Sequence, residues 1–444
     1  MSQADANALG GDSNALARCS RLAPKPTSIE DTGLSRYFLT DLTAKHLAAA
    51  GVLDIVTLAK RLRLPGSIVE DVLAYMRTEA LVELRTSRDE NLLLRFGLTD
   101  RGRVLASDAA QRDGYWGPAP VTLATYRELV RAQSMNSAPV TRERVHDAFA
   151  DTVIRPETLD SLGPAMSSGR SLFIYGAPGT GKSYIARRLA RLLGGPVLLP
   201  YAVIVDDSVI EYFDPAAHHL VPGHQNVDSA LFAEGFDARF VFCERPFVSS
   251  GGELTADMLE LQYDVATRRY VAPLQMRANL GMLLIDDLGR QRIATADLFN
   301  RWIVPLEEKR DQLTLHTGRH FSTPFDLVLV FSTNIDPHRL ADDAFLRRIG
   351  YKIHFDHSSR MEYAEIWRQV CEANAIADDG ALLSHVMDHL YPNSSYPRLA
   401  CHPRDLLGLA LDYLRYASQE KIQIDAINWA WRNYFVRVEA EGES

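Results

Sequence analysis

One stretch of eight residues constrains this chain more than any other. It fits the pattern G-x-x-x-x-G-K-[ST] at every fixed position and reads Gly176, Ala177, Pro178, Gly179, Thr180, Gly181, Lys182 and Ser183. The apolar run from Ser171 to Tyr175 precedes it and predicts a buried strand, and apolar residues at helical spacing follow it. A strand, a glycine-rich loop and a helix in this order predict a P-loop, whose backbone N–H groups and helix N-terminus bind phosphate.

The P-loop pattern also predicts the roles of its last two residues. Lys182 is expected to reach the β- and γ-phosphates of a bound nucleotide, and Ser183 is expected to hold Mg²⁺. All eight residues of the loop are therefore candidate nucleotide-binding residues. The structural alternative is an ordinary glycine-rich turn between a strand and a helix.

A second apolar run supplies carboxylates for the same site. Met282 to Ile285 predicts a buried strand that ends in Asp286 and Asp287. In an open parallel sheet, a carboxylate at the carboxyl end of a strand lies beside the P-loop and can hold Mg²⁺ through water. This pattern is common by itself, but downstream of a P-loop it is a strong indication of a nucleotide site.

A third buried strand is predicted from Leu327 to Asn334 and ends in this polar residue. Asn334 is placed to orient water or a γ-phosphate, and the alternative is that it begins a turn. Upstream of the P-loop, Val153, Ile154 and Leu159 could supply an apolar adenine pocket, with core packing as the equally good alternative.

Composition excludes several other classes of protein. The chain has 444 residues, which is enough for two or three domains, and a net charge of -9, which argues against a general polyanion binder. No apolar run approaches the length of a membrane span, and no signal pattern opens the chain. The four cysteines lack C-x-x-C spacing, which fits a reducing compartment, so we expect a cytoplasmic protein without membrane partners.

The region before the P-loop is expected to contain a tail, a small domain and a connector. Residues 1–27 predict a disordered tail, residues 28–112 predict helices followed by a hairpin, and residues 113–150 predict a connector. Residues 28–112 resemble a winged helix-turn-helix domain, and Leu98 to Arg103 resembles its passage from wing to helix. Residues 1–112 contain 15 Lys and Arg against 14 Asp and Glu, so we favour protein docking over DNA binding.

Five motifs in order resemble those of the AAA+ ATPase superfamily over residues 150 to 440. They are the P-loop, the Walker B strand, sensor 1, a region with paired arginines and a helical C-terminal lid. The resemblance implies that Asp286 is the Walker B metal ligand and Asn334 is sensor 1. It also implies that Arg347 or Arg348 is a finger acting on a neighbouring subunit. In the same way, Arg404 at the start of a lid helix would be sensor 2.

The resemblance implies an α/β fold, a parallel sheet flanked by helices with an all-α lid and an N-terminal winged-helix domain. The AAA+ core would span 151–357 and the lid 358–444. The segment from about 240 to 280, with a predicted hairpin from Glu260 to Ala272, is similar to the helix-2 insertions of MoxR-like branches. One departure is Asp287, because AAA+ proteins usually have Glu there to polarise the attacking water.

The function expected from these features is an ATPase that binds Mg-ATP, assembles into a homo-oligomeric ring such as a hexamer, and remodels a client protein of unknown identity. Hydrolysis would use Asp287, Asn334, Arg404 and an arginine from a neighbour. One alternative is an ATP-dependent DNA-binding regulator or a helper of transposition or replication. A second alternative is a nucleotide-gated scaffold with negligible turnover.

Overall fold

The computed structural model describes residues 21–85, 94–134, 140–221, 236–377 and 380–435. Most of the predicted N-terminal tail lies outside the described residues. So does the tip of the hairpin that is predicted within residues 28–112. Within the part that is described, no helix combines the length and the apolar composition that a bilayer crossing requires.

The N-terminal region folds as four helices and a small antiparallel sheet. The helices are α1 (Arg36–Ala50), α2 (Ile55–Leu62), α3 (Gly66–Thr78) and α4 (Asp100–Arg112). The strands are β1 (Val52–Asp54), β2 (Val82–Arg85) and β3 (Arg95–Leu98), in the order β1-β3-β2. The predicted pairing of β2 with β3 is confirmed, whereas β1 was not expected from the sequence. The assignment of this region as a winged helix stays a prediction.

The chain continues into the P-loop through one strand and several helices. The elements are β4 (Val121–Thr122), α5 (Leu123–Ala132), α6 (Arg142–Ala148), α7 (Pro156–Ser168), β5 (Leu172–Gly176) and α8 (Lys182–Leu189). Short elements follow up to the strand that ends before Asp286. They are β6 (Val197–Pro200), β7 (Ala202–Val205), β8 (Ser208–Glu211), β9 (Phe240–Cys243), β10 (Phe247–Ser250), β11 (Gln262–Asp264), β12 (Arg269–Val271), α9 (Leu274–Arg277) and β13 (Met282–Ile285).

A hairpin and then helices complete the chain. The elements are α10 (Thr295–Glu308), β14 (Arg310–Thr314), β15 (His320–Pro324), β16 (Val328–Thr333), α11 (Pro337–Leu340), α12 (Asp343–Leu346) and β17 (Tyr351–Phe355). The C-terminal helices are α13 (Arg360–Ala373), α14 (Ala381–His385), α15 (His402–Tyr416) and α16 (Ile424–Tyr434).

A five-stranded sheet in the order β10-β13-β16-β5-β17 contains the P-loop strand. Both β16 and β17 pair with β5 in parallel, and the central residues of β16 and β5 are fully buried because helices flank the sheet. The carboxyl ends of β5 and β16 therefore meet at the same edge of the sheet, where the candidate site lies. The expected α/β fold with a helical C-terminal region is confirmed.

The chain forms two compact units. The first comprises Met1–Pro139, Leu193–Leu284 and Gln291–Leu329, and the second comprises Val140–Leu192, Ile285–Arg290 and Val330–Ser444. Every predicted site residue falls in the second unit.

The first unit contains a second five-stranded sheet, in the order β11-β12-β8-β7-β4. The predicted hairpin between Glu260 and Ala272 is confirmed as β11 and β12. The apolar run from Val197 to Val205 predicts a single buried strand, and this prediction is wrong, because β6 pairs with β9 whereas β7 pairs with β8. Both segments are fully buried, so the apolar run in the sequence hides the change of partner at Tyr201.

The C-terminal helices of the second unit share one apolar core. Its largest side chains are Tyr363 and Trp367 of α13, which pack with Leu406 and Leu407 of α15 and with Ile427 of α16. A capping box between Ser359 and Glu362 begins α13. These helices form the helical C-terminal region that the sequence predicts.

Candidate nucleotide site

The P-loop conformation requires glycine at three positions. Gly176, Gly179 and Gly181 have φ angles of 143°, 79° and 91°, a region that other residues rarely adopt. A Cβ atom on Gly176 would also lie 2.0 Å from the backbone oxygen of Phe355 on β17. Gly181 is the N-cap of α8, so this helix begins directly after the loop. The loop therefore has the backbone conformation of a nest, which can bind an anion.

Lys182 lies inside this loop rather than in solvent. Its Nζ donates hydrogen bonds to the backbone oxygens of Gly176 at 3.1 Å and Ala177 at 2.7 Å. Burial lowers the pKa of Lys182, and the nearby carboxylates of Asp287 and Asp286 oppose that shift. The ammonium group is thus held by loop carbonyls at the place where the pattern expects phosphate oxygens.

Ser183 and Asp286 are in direct contact. The Ser183 hydroxyl donates to Asp286 Oδ1 at 2.8 Å, although 103 residues separate the two in sequence. Hydroxyl and carboxylate oxygens are the hard ligands that Mg²⁺ prefers, and this ion usually takes one or two protein ligands together with waters and phosphates. The pair therefore fits a Mg²⁺ site completed by a nucleotide.

Asp287 and Asn334 meet beside this pair. Asn334 Nδ2 donates to Asp287 Oδ1 at 3.3 Å. Asp287 has a φ angle of 49°, a left-handed conformation that turns the chain directly after β13. The turn is tied to β16, because Thr333 Oγ1 donates to the backbone oxygen of Leu288 at 2.7 Å. The carboxylate and the amide are thereby held at the edge of the sheet.

The start of α15 contacts the P-loop. The backbone N–H of Cys401 donates to the oxygen of Gly179 at 3.1 Å. Arg404, one turn later, lines the same cavity as Lys182, and its side chain is 76% exposed. Its guanidinium donates to Asp405 Oδ1 at 3.0 Å. The structure therefore brings the predicted sensor 2 residue to the P-loop.

The two predicted finger residues lie elsewhere in the second unit. Neither Arg347 nor Arg348 lines the cavity. Arg347 is exposed, whereas Arg348 is half-buried and its Nη1 donates to the backbone oxygen of Ala344 at 2.5 Å. Of the two, Arg347 is the side chain that is available to another molecule.

A cavity of about 770 Å³ joins these residues. Lys182, Asp287, Asn334 and Arg404 line one part of it. Val153 and Ile154 line another, as the sequence suggested, together with apolar side chains of α13. Leu159 is buried in the core and does not belong to the lining, so for this residue the packing alternative holds.

Several lining residues were not expected from the sequence. Arg290 follows Asp287 in the same turn, and Tyr184 follows Ser183 on α8. Arg155 joins the segment before α7 to α13, since its Nε donates to Glu362 Oε1 at 2.8 Å. That hydrogen bond helps to lower the pKa of Glu362 against the opposing effect of its burial. None of these residues belongs to a motif used in the sequence analysis.

Comparison with known proteins gives limited matches. A family model described as a domain of unknown function, DUF8689, matches residues 359–433, which form the helical C-terminal region. No curated protein matches the chain. Two solved structures with similarity are the RuvB Holliday junction branch migration motor of Thermotoga maritima and NtrX of Brucella abortus.

The similarity to both structures is distant. The RuvB match is 14% identical, covers 68% of this chain and 72% of RuvB, and has a TM-score of 0.34. The NtrX match is 14% identical, covers 68% of this chain and 60% of NtrX, and has a TM-score of 0.40. A second NtrX structure, a complex with ADP, is 13% identical, covers 67% of this chain and 60% of that chain, and has a TM-score of 0.38. These likenesses do not assign the chain to a family.

Proposed function

We propose that this chain is an AAA+ ATPase that binds Mg-ATP, oligomerises and couples hydrolysis to the remodelling of a partner protein or complex. The contact of 2.8 Å between Ser183 and Asp286 carries the proposal. It joins the last P-loop residue to the first carboxylate after β13, as a metal site for a nucleoside triphosphate requires.

Each remaining site residue has a role in this proposal. Lys182 exchanges its contacts with loop carbonyls for phosphate oxygens, and the N–H groups around Gly179 and Gly181 bind the phosphate chain. Mg²⁺ supplies charge neutralisation when it is bound. Arg404 contacts the γ-phosphate from the C-terminal helices. Positioning and charge neutralisation are what phosphoryl transfer to water mainly needs from a protein.

Asp287 and Asn334 form the water-positioning pair of the proposed enzyme. The Asp287 carboxylate accepts from the Asn334 amide, and this contact holds the carboxylate in position to orient water. Asp is one methylene shorter than Glu, and its carboxylate stops roughly 1.5 Å short of the position that Glu would reach. A displacement near 1 Å can reduce a rate on the order of 100-fold. We therefore propose slow hydrolysis.

The proposed oligomer is a ring in which Arg347 of one copy completes the site of the next. Exposure of Arg347 supports this choice over Arg348, which donates to the backbone oxygen of Ala344 in α12. The N-terminal helices and sheet of residues 28–112 are proposed to be a winged-helix domain that docks a client protein. Their near-neutral charge supports docking over DNA binding.

A nucleotide-gated scaffold is the second candidate, and the short side chain of Asp287 is the observation that favours it. Phosphate release under saturating Mg-ATP separates the two functions, with Ser183→Ala and Asp286→Asn as test variants. Ser161→Ala is a matched control because Ser161 is an exposed residue of α7 outside the cavity. If the chain is an ATPase, the wild type should release phosphate, both test variants should lose this turnover, and the control should keep it. Turnover that is equal in all variants would contradict the assigned metal site.

A further inference from the structure

Tyr184 is a large aromatic residue in an unusual position. It follows Ser183 in the first turn of α8 and lines the cavity, and its side chain is 52% exposed. Exposed single aromatic residues are common on protein surfaces and need no explanation by themselves. Tyr184 differs because Arg188, which is itself paired with Asp151, packs against its ring.

Arg188, one helical turn later, covers one face of the Tyr184 ring. Its guanidinium carbon lies 4.7 Å from the ring centroid, which is within the range of a cation–π interaction. The exposed fraction of the Arg188 side chain is only 13%. The guanidinium is thus packed between the tyrosine and its other partner.

That other partner is Asp151, which also lines the cavity. Arg188 and Asp151 form a two-pronged ion pair in which Nη2 donates to Oδ2 at 2.8 Å. The hydrogen bond from Arg188 lowers the pKa of Asp151 to about 2, so both members of the pair are charged at neutral pH. We call Tyr184, Arg188 and Asp151 the tyrosine clamp.

We propose that the tyrosine clamp is a stacking platform for the base of the bound nucleotide. The inference rests on the proposed nucleotide binding and adds the group that holds the base. Arg188 lies over the Tyr184 ring, and Tyr184 is 52% exposed and lines the cavity. An exposed aromatic ring held in place by a cation attracts a planar heterocycle, whichever hydrogen-bonding edge that heterocycle has.

The position of the clamp relative to the phosphate site supports the base as its ligand. Lys182 and Ser183 mark where phosphate and metal bind, and Asp151 precedes the apolar lining residues Val153 and Ile154. The clamp therefore joins the P-loop helix to the apolar wall of the cavity. A nucleotide whose phosphates lie in the P-loop extends its base toward this wall.

Calorimetric titration of the full chain with two ligands tests the proposal. Mg-ATP has both a base and phosphates, whereas Mg-tripolyphosphate has phosphates alone. We expect Tyr184→Ala to weaken ATP binding roughly 5- to 100-fold, the range of one lost base–aromatic contact, and to leave tripolyphosphate binding unchanged. Tyr184→Phe keeps the ring and should bind ATP like the wild type. Arg188→Gln should weaken ATP binding less than Tyr184→Ala.

Tyr416→Ala is the matched control, because Tyr416 is 89% exposed and lies outside the cavity lining. It should bind both ligands like the wild type. Unchanged ATP affinity in Tyr184→Ala would overturn the proposal. An equal loss of affinity for both ligands would also overturn it, because it would mean that Tyr184 acts through the P-loop. A wild-type chain that binds neither ligand would reject the proposed function and this inference with it.

Discussion

Asn334 donates its side-chain amide to Asp287 Oδ1 across 47 residues of sequence, at a distance of 3.3 Å. Asp287 follows β13 and Asn334 follows β16, and these two strands are neighbours in the sheet. The sequence predicts each residue separately, as a polar residue that follows an apolar run. Their contact brings the two predicted residues together. Asp287, at which this chain departs from the AAA+ pattern, therefore lies next to Asn334, which matches that pattern.

The first prediction concerns Asp287. Asp287→Asn should bind ATP with the wild-type affinity but hydrolyse it about 10- to 100-fold more slowly, because the amide cannot act as a base toward water. Asn tolerates the left-handed backbone at this position, so the fold should survive. Parallel measurements of ATP affinity and phosphate release check the result. Wild-type turnover in this variant would mean that Asp287 is only a strand-end carboxylate.

The second prediction separates the two finger candidates. Arg347→Ala should reduce turnover by about 10³-fold or more with little change in stability, because an arginine supplied to a neighbouring site contributes that much in related systems. Arg348→Ala should instead lower the unfolding temperature, because Arg348 is half-buried and bonds Ala344.

The trans role of Arg347 has its own check. Mixing Arg347→Ala with Lys182→Ala should restore part of the turnover, since some mixed interfaces combine an intact P-loop with an intact arginine. The measurement is phosphate release from mixed oligomers whose formation has been verified. If such hybrids form and remain inactive, the arginine does not act between subunits.

The third prediction follows from a buried histidine in the C-terminal helices. Burial lowers the pKa of His402 to about 4, and its Nδ1 lies 2.6 Å from the Tyr391 hydroxyl. The unfolded chain, with a histidine pKa near 6.5, binds more protons than the folded chain between those two values. The free energy of unfolding should therefore fall as the pH drops from about 6.5 to 4.

Urea unfolding at pH 7.5 and pH 5 measures this effect. The wild type should lose stability at the lower pH, and His402→Gln should show a smaller pH dependence because its side chain does not titrate. His357→Gln is a control at an exposed position and should keep the wild-type dependence. Equal pH dependence in all three proteins would exclude His402 as the source.

The fourth prediction concerns DNA. The full chain should bind duplex DNA weakly and without a steep dependence on salt, because residues 1–112 are nearly neutral. The exposed face of α3 supports this expectation, since Glu70 and Asp71 outnumber Arg77 there. Fluorescence anisotropy over a range of salt concentrations measures it. Submicromolar binding at physiological salt would favour the DNA-binding regulator instead.

Motifs make the centre of the site predictable from sequence. The P-loop needs glycine at fixed positions for its backbone, and a carboxylate after a buried strand has a defined place in a parallel sheet. The sequence alone is therefore enough to expect Ser183, Asp286 and Asn334 at one edge of the sheet.

The rest of the site depends on contacts that no local pattern encodes. Two examples are the hydrogen bond from Cys401 to Gly179 and the tyrosine clamp of Tyr184, Arg188 and Asp151. To predict them, one must know which distant segments pack together. The same reason explains the error at Tyr201, where one apolar run serves two sheets. Apolar periodicity reports burial but does not identify the pairing partner.

Binding of Mg-ATP to the full chain, compared by calorimetry between the wild type and Lys182→Ala, tests the central claim most directly. Lys182 has its ammonium group inside the phosphate-binding loop, so its loss should remove a charge aimed at phosphate. Circular dichroism should show that the variant remains folded. We predict saturable binding by the wild type and no measurable binding by Lys182→Ala. Equal affinity in the two folded proteins, or no binding by the wild type, would contradict the account.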